Sequence, residues 1–217
     1  MRKLTKTDFE GDVNLGIYCL ATDKICLSPI FVKEKKLKVL QVPVVKASIA
    51  NTPFLGMFVA ANSKKAIIPD IATEEEKKNI EKSFDDVLVL NTKYNTFGNL
   101  ILVNDKGCLI SSLLKNQKDK IESFLNLKTE IVKTNILKIV GSASVCTNDG
   151  CLVHPDATEE QIKQIEDILG VKADIGTVNF GSAFVRSGII VNKNGAVVGS
   201  RTSGPELARI TEVFGFL

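Results

Sequence analysis

GNLILVNDKGCLI (Gly98–Ile110) lies over GSASVCTNDGCLV (Gly141–Val153), with a second glycine nine residues after the first in both segments. Extending the frame gives five turn positions, Ile25, Lys65, Gly107, Gly150 and Gly195, at steps of 40, 42, 43 and 45 residues. Nine residues before them stand Gly16, Gly56, Gly98, Gly141 and Arg186, so four copies read as opening a strand with glycine. Three before them stand Thr22, Asn62, Asn104, Thr147 and Asn192, all polar. A period of this size marks a repeat architecture in which each copy is one supersecondary unit.

The remainder of the unit follows from the same frame. Thr73, Thr158 and Ser203 come eight residues after their turn positions, and each is followed three residues later by Glu76, Gln161 or Glu206. These are capping boxes: the hydroxyl accepts from an orphan amide of the first turn while the longer side chain returns to the cap's own N–H. Apolar residues at helical spacing continue them, as Ile162, Ile165 and Leu169 before Gly170, and Leu207, Ile210 and Phe214 before Gly215; the third copy uses Ile121, Phe124 and Leu125. Short runs such as LILV, CLIS, GIIV and AVVG flank an Asn/Asp/Gly turn ahead of the helix and predict a hairpin. The unit is therefore a hairpin, a helix and a further short strand. It cannot bury both faces of its sheet alone, and neither terminal copy reads as a polar cap, which favours an α/β ring about a pseudo-fivefold axis over an open row.

Composition bounds the function. The 217 residues are 44% apolar and 24% charged, enough for a core and unlike disordered or fibrous chains. A net charge of +3 is too small for a sequence-independent grip on nucleic acid. No run approaches the ~18 apolar residues of a spanning helix, and MRKLTKTDFEGD has no apolar stretch behind its basic residues, so a soluble, unsecreted, cytoplasmic protein is expected. Cys19, Cys26, Cys108, Cys146 and Cys151 are odd in number and lack CxxC spacing, which points neither to a disulfide framework nor to zinc.

Catalytic signals are thin. No phosphate-binding GxxxxGK[ST] loop occurs. The one histidine, His154, has Cys151 and Asp156 nearby, but it occupies a strand exit where other copies carry Pro29, Pro69, Ser111 and Gly199. Cys26, Cys108 and Cys151 share one position with Ala66 and Ala196, as small buried residues would. The lysine runs Lys33, Lys35, Lys36, Lys38 and Lys115, Lys118, Lys120 read as solvated faces. Binding is the default function. In a ring, the loops leading into the first strands, with Asn14, Asn51, Thr52, Asn99, Ser142 and Asn179, would share one end.

VPVVKASIA from Val42, FGN at Phe97, LVHPDATEEQ from Leu152 and GTVNFGSAFV from Gly176 resemble the translation initiation factor 6 family over essentially the whole chain. The ending EVFGFL resembles the archaeal form without a C-terminal extension. The resemblance implies the pentein fold, a five-bladed α/β propeller spanning residues 1–217 as a single domain. It also implies a non-catalytic, monomeric factor without cofactor, metal, membrane or small-molecule substrate. Such factors bind the large ribosomal subunit on its intersubunit side, in the region of ribosomal protein L14 near the sarcin-ricin loop, and block joining of the small subunit. In eukaryotes they also serve large-subunit biogenesis and export.

By motif match, the resemblance carries ribosome binding onto Gly16, Asn51, Thr52, Gly56, Met57, Gly98, Asn99, Thr177 and Asn179. The sequence departs from it at NTPFLGM (Asn51–Met57), where eukaryotic members read GCRIIGR, and at Phe180, where TVNRGS has arginine. Phe54, Met57 and Phe180 are then expected to serve as apolar anchors in their place. Two other readings compete: the same fold houses cysteine-dependent enzymes acting on guanidino groups, though no cysteine follows Cys151, and the basic helices could bind rRNA directly.

Overall fold

The polar residue three places before each turn position makes the turn. In the computed structural model, which describes residues 3–132 and 136–216, the side-chain oxygens of Thr22, Asn62, Asn104, Thr147 and Asn192 each accept the backbone N–H groups two and three residues on, at 2.8–3.3 Å. A side chain standing in for a backbone acceptor in this way closes a tight loop without left-handed residues. Gly107, Gly150 and Gly195 accordingly do not have positive φ. Gly107 and Gly150 are glycine for another reason: a Cβ would lie 1.9 Å from the carbonyl oxygens of Ile168 and Val213, near the helix end of the next unit.

The chain begins with β1 (Leu4–Thr7). The first unit holds α1 (Leu15–Tyr18), β2 (Leu20–Ala21), β3 (Cys26–Ser28) and β4 (Val44–Lys46), with two 3-10 turns, Glu34–Lys36 and Lys38–Leu40, where other units have a helix. The second holds α2 (Leu55–Phe58), β5 (Ala60–Ala61), β6 (Lys65–Pro69), α3 (Glu74–Glu81) and β7 (Asp86–Leu90). The third holds α4 (Phe97–Leu100), β8 (Ile101–Val103), β9 (Cys108–Ile110), α5 (Lys118–Leu125) and β10 (Thr129–Ile131). The fourth holds α6 (Val140–Ala143), β11 (Ser144–Cys146), β12 (Gly150–Val153), α7 (Glu159–Leu169) and β13 (Lys172–Ile175). The fifth opens with a 3-10 turn, Val185–Gly188, and continues through β14 (Ile189–Asn192), β15 (Gly195–Gly199) and α8 (Gly204–Val213).

All three capping boxes form, at Thr73/Glu76, Thr158/Gln161 and Ser203/Glu206, and Gly170 ends α7 in the left-handed conformation. One expectation changes. The ring glycines do not open strands; Gly16, Gly56, Gly98 and Gly141 are each the second residue of a one-turn helix that precedes the strand.

Each unit makes a three-stranded sheet in which the hairpin is antiparallel and the third strand returns parallel to the second. The fifth sheet takes its third strand from the other end of the chain, Leu4 to Thr7 pairing with Ala196 to Gly199. The second strands are largely apolar, Ser28 and Lys65 excepted, because both faces are buried. Ala66 and Ile68 of β6 point into one core while Ile67 points into the next. The alternation recurs for Cys108 and Ile110 against Leu109, and for Cys151 and Val153 against Leu152. Period-two side-chain alternation thus makes each sheet serve two cores. Five apolar cores result, one at each junction between successive units, the last joining Ile190 and Val197 of the fifth unit to Leu15, Cys26 and Leu40 of the first. The cycle of junctions is closed.

Closure requires glycine on the one-turn helices. A Cβ on Gly16 would sit 1.8 Å from Arg186 O, on Gly56 1.9 Å from Gly16 O, on Gly98 2.1 Å from Gly56 O, and on Gly141 2.2 Å from Gly98 O. Each helical turn rests directly on the backbone of the one before, a close approach only a residue without Cβ permits.

Candidate functional site

In every sheet the first strand starts, and the second and third finish, at the same end. That end therefore carries the one-turn helices, the loops leading into them and the N-termini of α3, α7 and α8. The large apolar side chains left exposed among the described residues are Ile30, Ile71, Leu113, Ile175, Phe180 and Phe184, and all six belong to it. Ile30 is 86% exposed and Phe180 83%. The opposite end is built of the polar turns: Asn148 donates to Asp23 and Asp105 at 2.8 and 2.7 Å, and Ser63 donates to Asp105 at 2.7 Å. Among the described residues the large exposed apolar side chains thus share one end, called the apolar end, with charged residues between them.

At the centre of the apolar end lies a hollow of about 240 Å³ to which all five units contribute. Gly16 and Gly56 form part of its lining with Met57 and Asn99, so four of the residues carried over by resemblance come together there. Ile17, Ile139, Ser142, Phe184, Arg186 and Ser187 complete it. Gly98 is buried outside this lining, and its part is the ring contact described above. Arg186 stands in the fifth unit where four copies have glycine, and that break in the pattern was the sequence signal for it.

Asn51 and Thr52 occupy a second position, on a groove of about 920 Å³ between the first two units. Ile30, Phe31 and Pro53 line it with Lys46, Lys78 and Lys82. Asn51 is exposed, whereas the Thr52 hydroxyl donates to Ile49 O at 2.8 Å. Ala50 and Asn51 have φ of 51° and 57°, a turn held from beneath by Glu76. That carboxylate accepts the N–H groups of Ala50, Asn51 and Thr73, each at 2.9 Å, and the Ser48 hydroxyl at 2.8 Å.

Thr177 and Asn179 belong to the equivalent loop of the fifth unit, and their side chains are spent inside it. Thr177 donates to Glu206 at 2.7 Å, while Asn179 Nδ2 donates to Val13 O at 3.0 Å. Glu206 also accepts the N–H groups of Phe180, Gly181 and Ser203 at 3.1, 2.9 and 2.6 Å, and the Ser203 hydroxyl at 2.8 Å. Burial opposes ionisation of Glu206, but the N–H groups of Ser203 and Gly181 and the hydroxyls of Thr177 and Ser203 outweigh it and lower the carboxyl to about 2. What the loop presents to solvent is Phe180, at φ 66°. Phe54, the remaining apolar anchor of the sequence reading, packs on Tyr18 with ring centroids 5.7 Å apart.

His154 is buried, its Nδ1 accepts the Asp156 N–H at 3.1 Å, and its ring meets Phe184 edge-on at 5.5 Å. Cys26, Cys108 and Cys151 are fully buried, as are Ala66 and Ala196 at the same position. Burial raises the thiols of Cys108 and Cys151, raises Cys146 to about 12, and for Cys26 acts second to a hydrogen bond with Cys19. Thiols so held are protonated and unreactive. Among the described residues no group of three or more His, Cys, Asp or Glu is placed to hold a metal, and no helix is long and apolar enough to cross a membrane. Of the basic runs, Lys36 pairs with Asp8 at 3.7 Å and Lys118 with Glu122 at 2.8 Å, while Lys33, Lys35, Lys38, Lys115 and Lys120 are exposed.

The eIF-6 family model matches residues 4–213. Translation initiation factor 6 of Thermococcus onnurineus is 36% identical over 225 residues, covering 99% of both chains, and that of Methanococcus maripaludis (strain C5) is 38% identical over the same share. Translation initiation factor 6 of Saccharolobus islandicus is 35% identical over 220 residues, 98% of this chain and 99% of its own. With the family model matched across all five units and these relatives aligned nearly end to end, the chain belongs to the eIF-6 family of translation initiation factors.

Proposed function

We propose that this protein binds the large ribosomal subunit through its apolar end and, by occupying the joining surface, keeps the small subunit away. The observation that carries this reading is the segregation of the six large exposed apolar side chains among the described residues to one end of the closed cycle. Exposed apolar surface gathered in one region marks an interaction site. Membership of a family of translation initiation factors supports a partner in the translation machinery. In this reading the five units are the blades of a pentein propeller forming one domain, 1–217, and the factor acts as a monomer in the cytoplasm. The L14 region near the sarcin-ricin loop is the docking ground.

An interface of about 800 Å² per partner would exclude the small subunit sterically, without chemistry. Met57, Asn99 and Asn51 present side chains to it, Phe180 and Ile30 anchor its margins, and Gly16, Gly56 and Gly98 set the ring that holds them. Thr52, Thr177 and Asn179 shape the loops. The protonated thiols and the engaged His154 favour this reading over guanidino chemistry.

Sedimentation with separated archaeal ribosomal subunits tests it, with and without magnesium-driven joining. Co-migration with large subunits alone and suppression of joined ribosomes are expected, with both lost in Asn99→Arg and Phe180→Asp. A protein that stays at the top of the gradient at every salt concentration would sink the proposal. A steep fall of affinity with salt would favour direct rRNA binding by the basic helices instead.

A further inference from the structure

Arg186 has no counterpart among the ring positions. The other four units place glycine there, and Arg186 lines both the central hollow and the enclosed space behind it, near Cys146. Nη2 reaches Gly56 O only at 3.4 Å, and Nε is buried without a partner. No carboxylate pairs with it among the described residues, whereas Arg209 pairs with both Asp174 and Glu212. Among the described residues it is the only ionisable one in the hollow's lining.

A guanidinium does not shed its proton at any working pH, so this charge persists. Held beneath walls of Ile17, Met57, Ile139 and Phe184, it acts through a medium of low dielectric that strengthens and focuses its field. A buried charge without a partner is costly, and an anion that enters the hollow relieves that cost.

We propose that the central hollow is a receptor for one carboxylate, gripped by Arg186, and that the docking partner fills it with an acidic protein side chain. The planar fork of a guanidinium, here with Nε unpartnered and Nη2 only loosely held, matches a carboxylate. Asn99, Ser142 and Ser187 supply hydrogen bonds around it, and the apolar walls receive the side chain's stem. A phosphodiester strand is the poorer fit, because nucleic-acid backbones are held by rows of cations and this hollow has one, sunk below apolar walls. The inference rests on the apolar end being the docking face and names what enters its centre.

Two measurements test it. The sequence has four arginines, so the Nε–H resonance of Arg186 is assignable by its disappearance in Arg186→Lys. Sodium propionate at constant ionic strength should shift that resonance to saturation, with sodium chloride as the reference and inorganic phosphate as the competing class. In the second arm, Arg186→Gly, which installs the residue the other units already use, should lose at least about 30-fold in affinity for large subunits. Arg186→Lys, with the charge but not the fork, should fall between.

If no anion moves the resonance, the site is overturned whatever the ribosome does. A stronger response to phosphate than to propionate overturns the carboxylate class and turns the hollow towards rRNA. A shifted resonance with unchanged subunit binding in Arg186→Gly overturns the partner assignment. Failure of the wild-type protein to co-sediment would instead strike the functional reading and the partner assignment, leaving the propionate arm to decide the site.

Discussion

Replacing Glu206 by glutamine should cost about 3 kcal/mol at neutral pH, and the cost should shrink in acid. In the folded protein the carboxylate, 7% exposed, takes five donated hydrogen bonds from Thr177, Phe180, Gly181 and Ser203. Its carboxyl is held from the ordinary 4.5 down to about 2. At roughly 1.4 kcal/mol per pH unit, that difference is on the order of 3 kcal/mol. The folded state has the lower pKa, so the stabilisation is complete above 4.5 and drains as the pH falls towards 2. A glutamine has one acceptor oxygen instead of two, and its amide nitrogen meets hydrogen-bond donors. Urea denaturation of both proteins at pH 7 and pH 3 should give a difference at pH 3 less than half that at pH 7, and melting at pH 7 should drop by roughly 10 °C. A pH-independent difference, or one below about 1 kcal/mol at pH 7, would refute the assignment of the loop's stability to this carboxylate.

Gly56→Ala should destabilise by more than about 4 kcal/mol or prevent folding, because its Cβ would meet backbone, which cannot give way as a side chain can. Gly204→Ala, at a helix start with nothing within 4 Å of the new Cβ, should melt within a few degrees of wild type or slightly above it. Iodoacetamide at pH 8 should leave Cys26, Cys108, Cys146 and Cys151 essentially unmodified in the native protein and label them together in urea, as intact mass would show. Rapid native-state labelling of Cys26, Cys108 or Cys151 would contradict its burial, and of half-buried Cys146 its raised thiol.

The repeat frame was legible because its signals are local: a polar residue accepting amides two and three places on, and a cap paired with the residue three places later. The ring glycines were visible as a pattern but assigned to the wrong element. A four-residue helix is too short to show a 3.6-residue period, and it persists here through tertiary contact rather than propensity. After its hairpin the first unit gave no helix signal, and it has two 3-10 turns there. Glu76 and Glu206 were readable as caps, but their hold on loops 25 to 29 residues away was not. Asn179 looked like a surface asparagine, and only the fold shows its amide turned to Val13. Arg186 stood out in the frame as the one non-glycine, but the hollow it lines needed five distant segments to be brought together, which no spacing rule encodes.

The fifth sheet borrows its third strand from the start of the chain, and Lys3 Nζ lies 5.9 Å from the ring of Phe216. The two ends of the polypeptide are thus neighbours across a single seam. During synthesis the first strand must wait unpaired until β15 emerges, nearly 200 residues later, so the last junction to be sealed is also the one of longest sequence separation, a contact that forms slowly. Because the seam is one strand wide and the ends adjoin, the circle has no privileged beginning. Joining the two ends and cutting in an exposed loop elsewhere would move the seam without changing the circle.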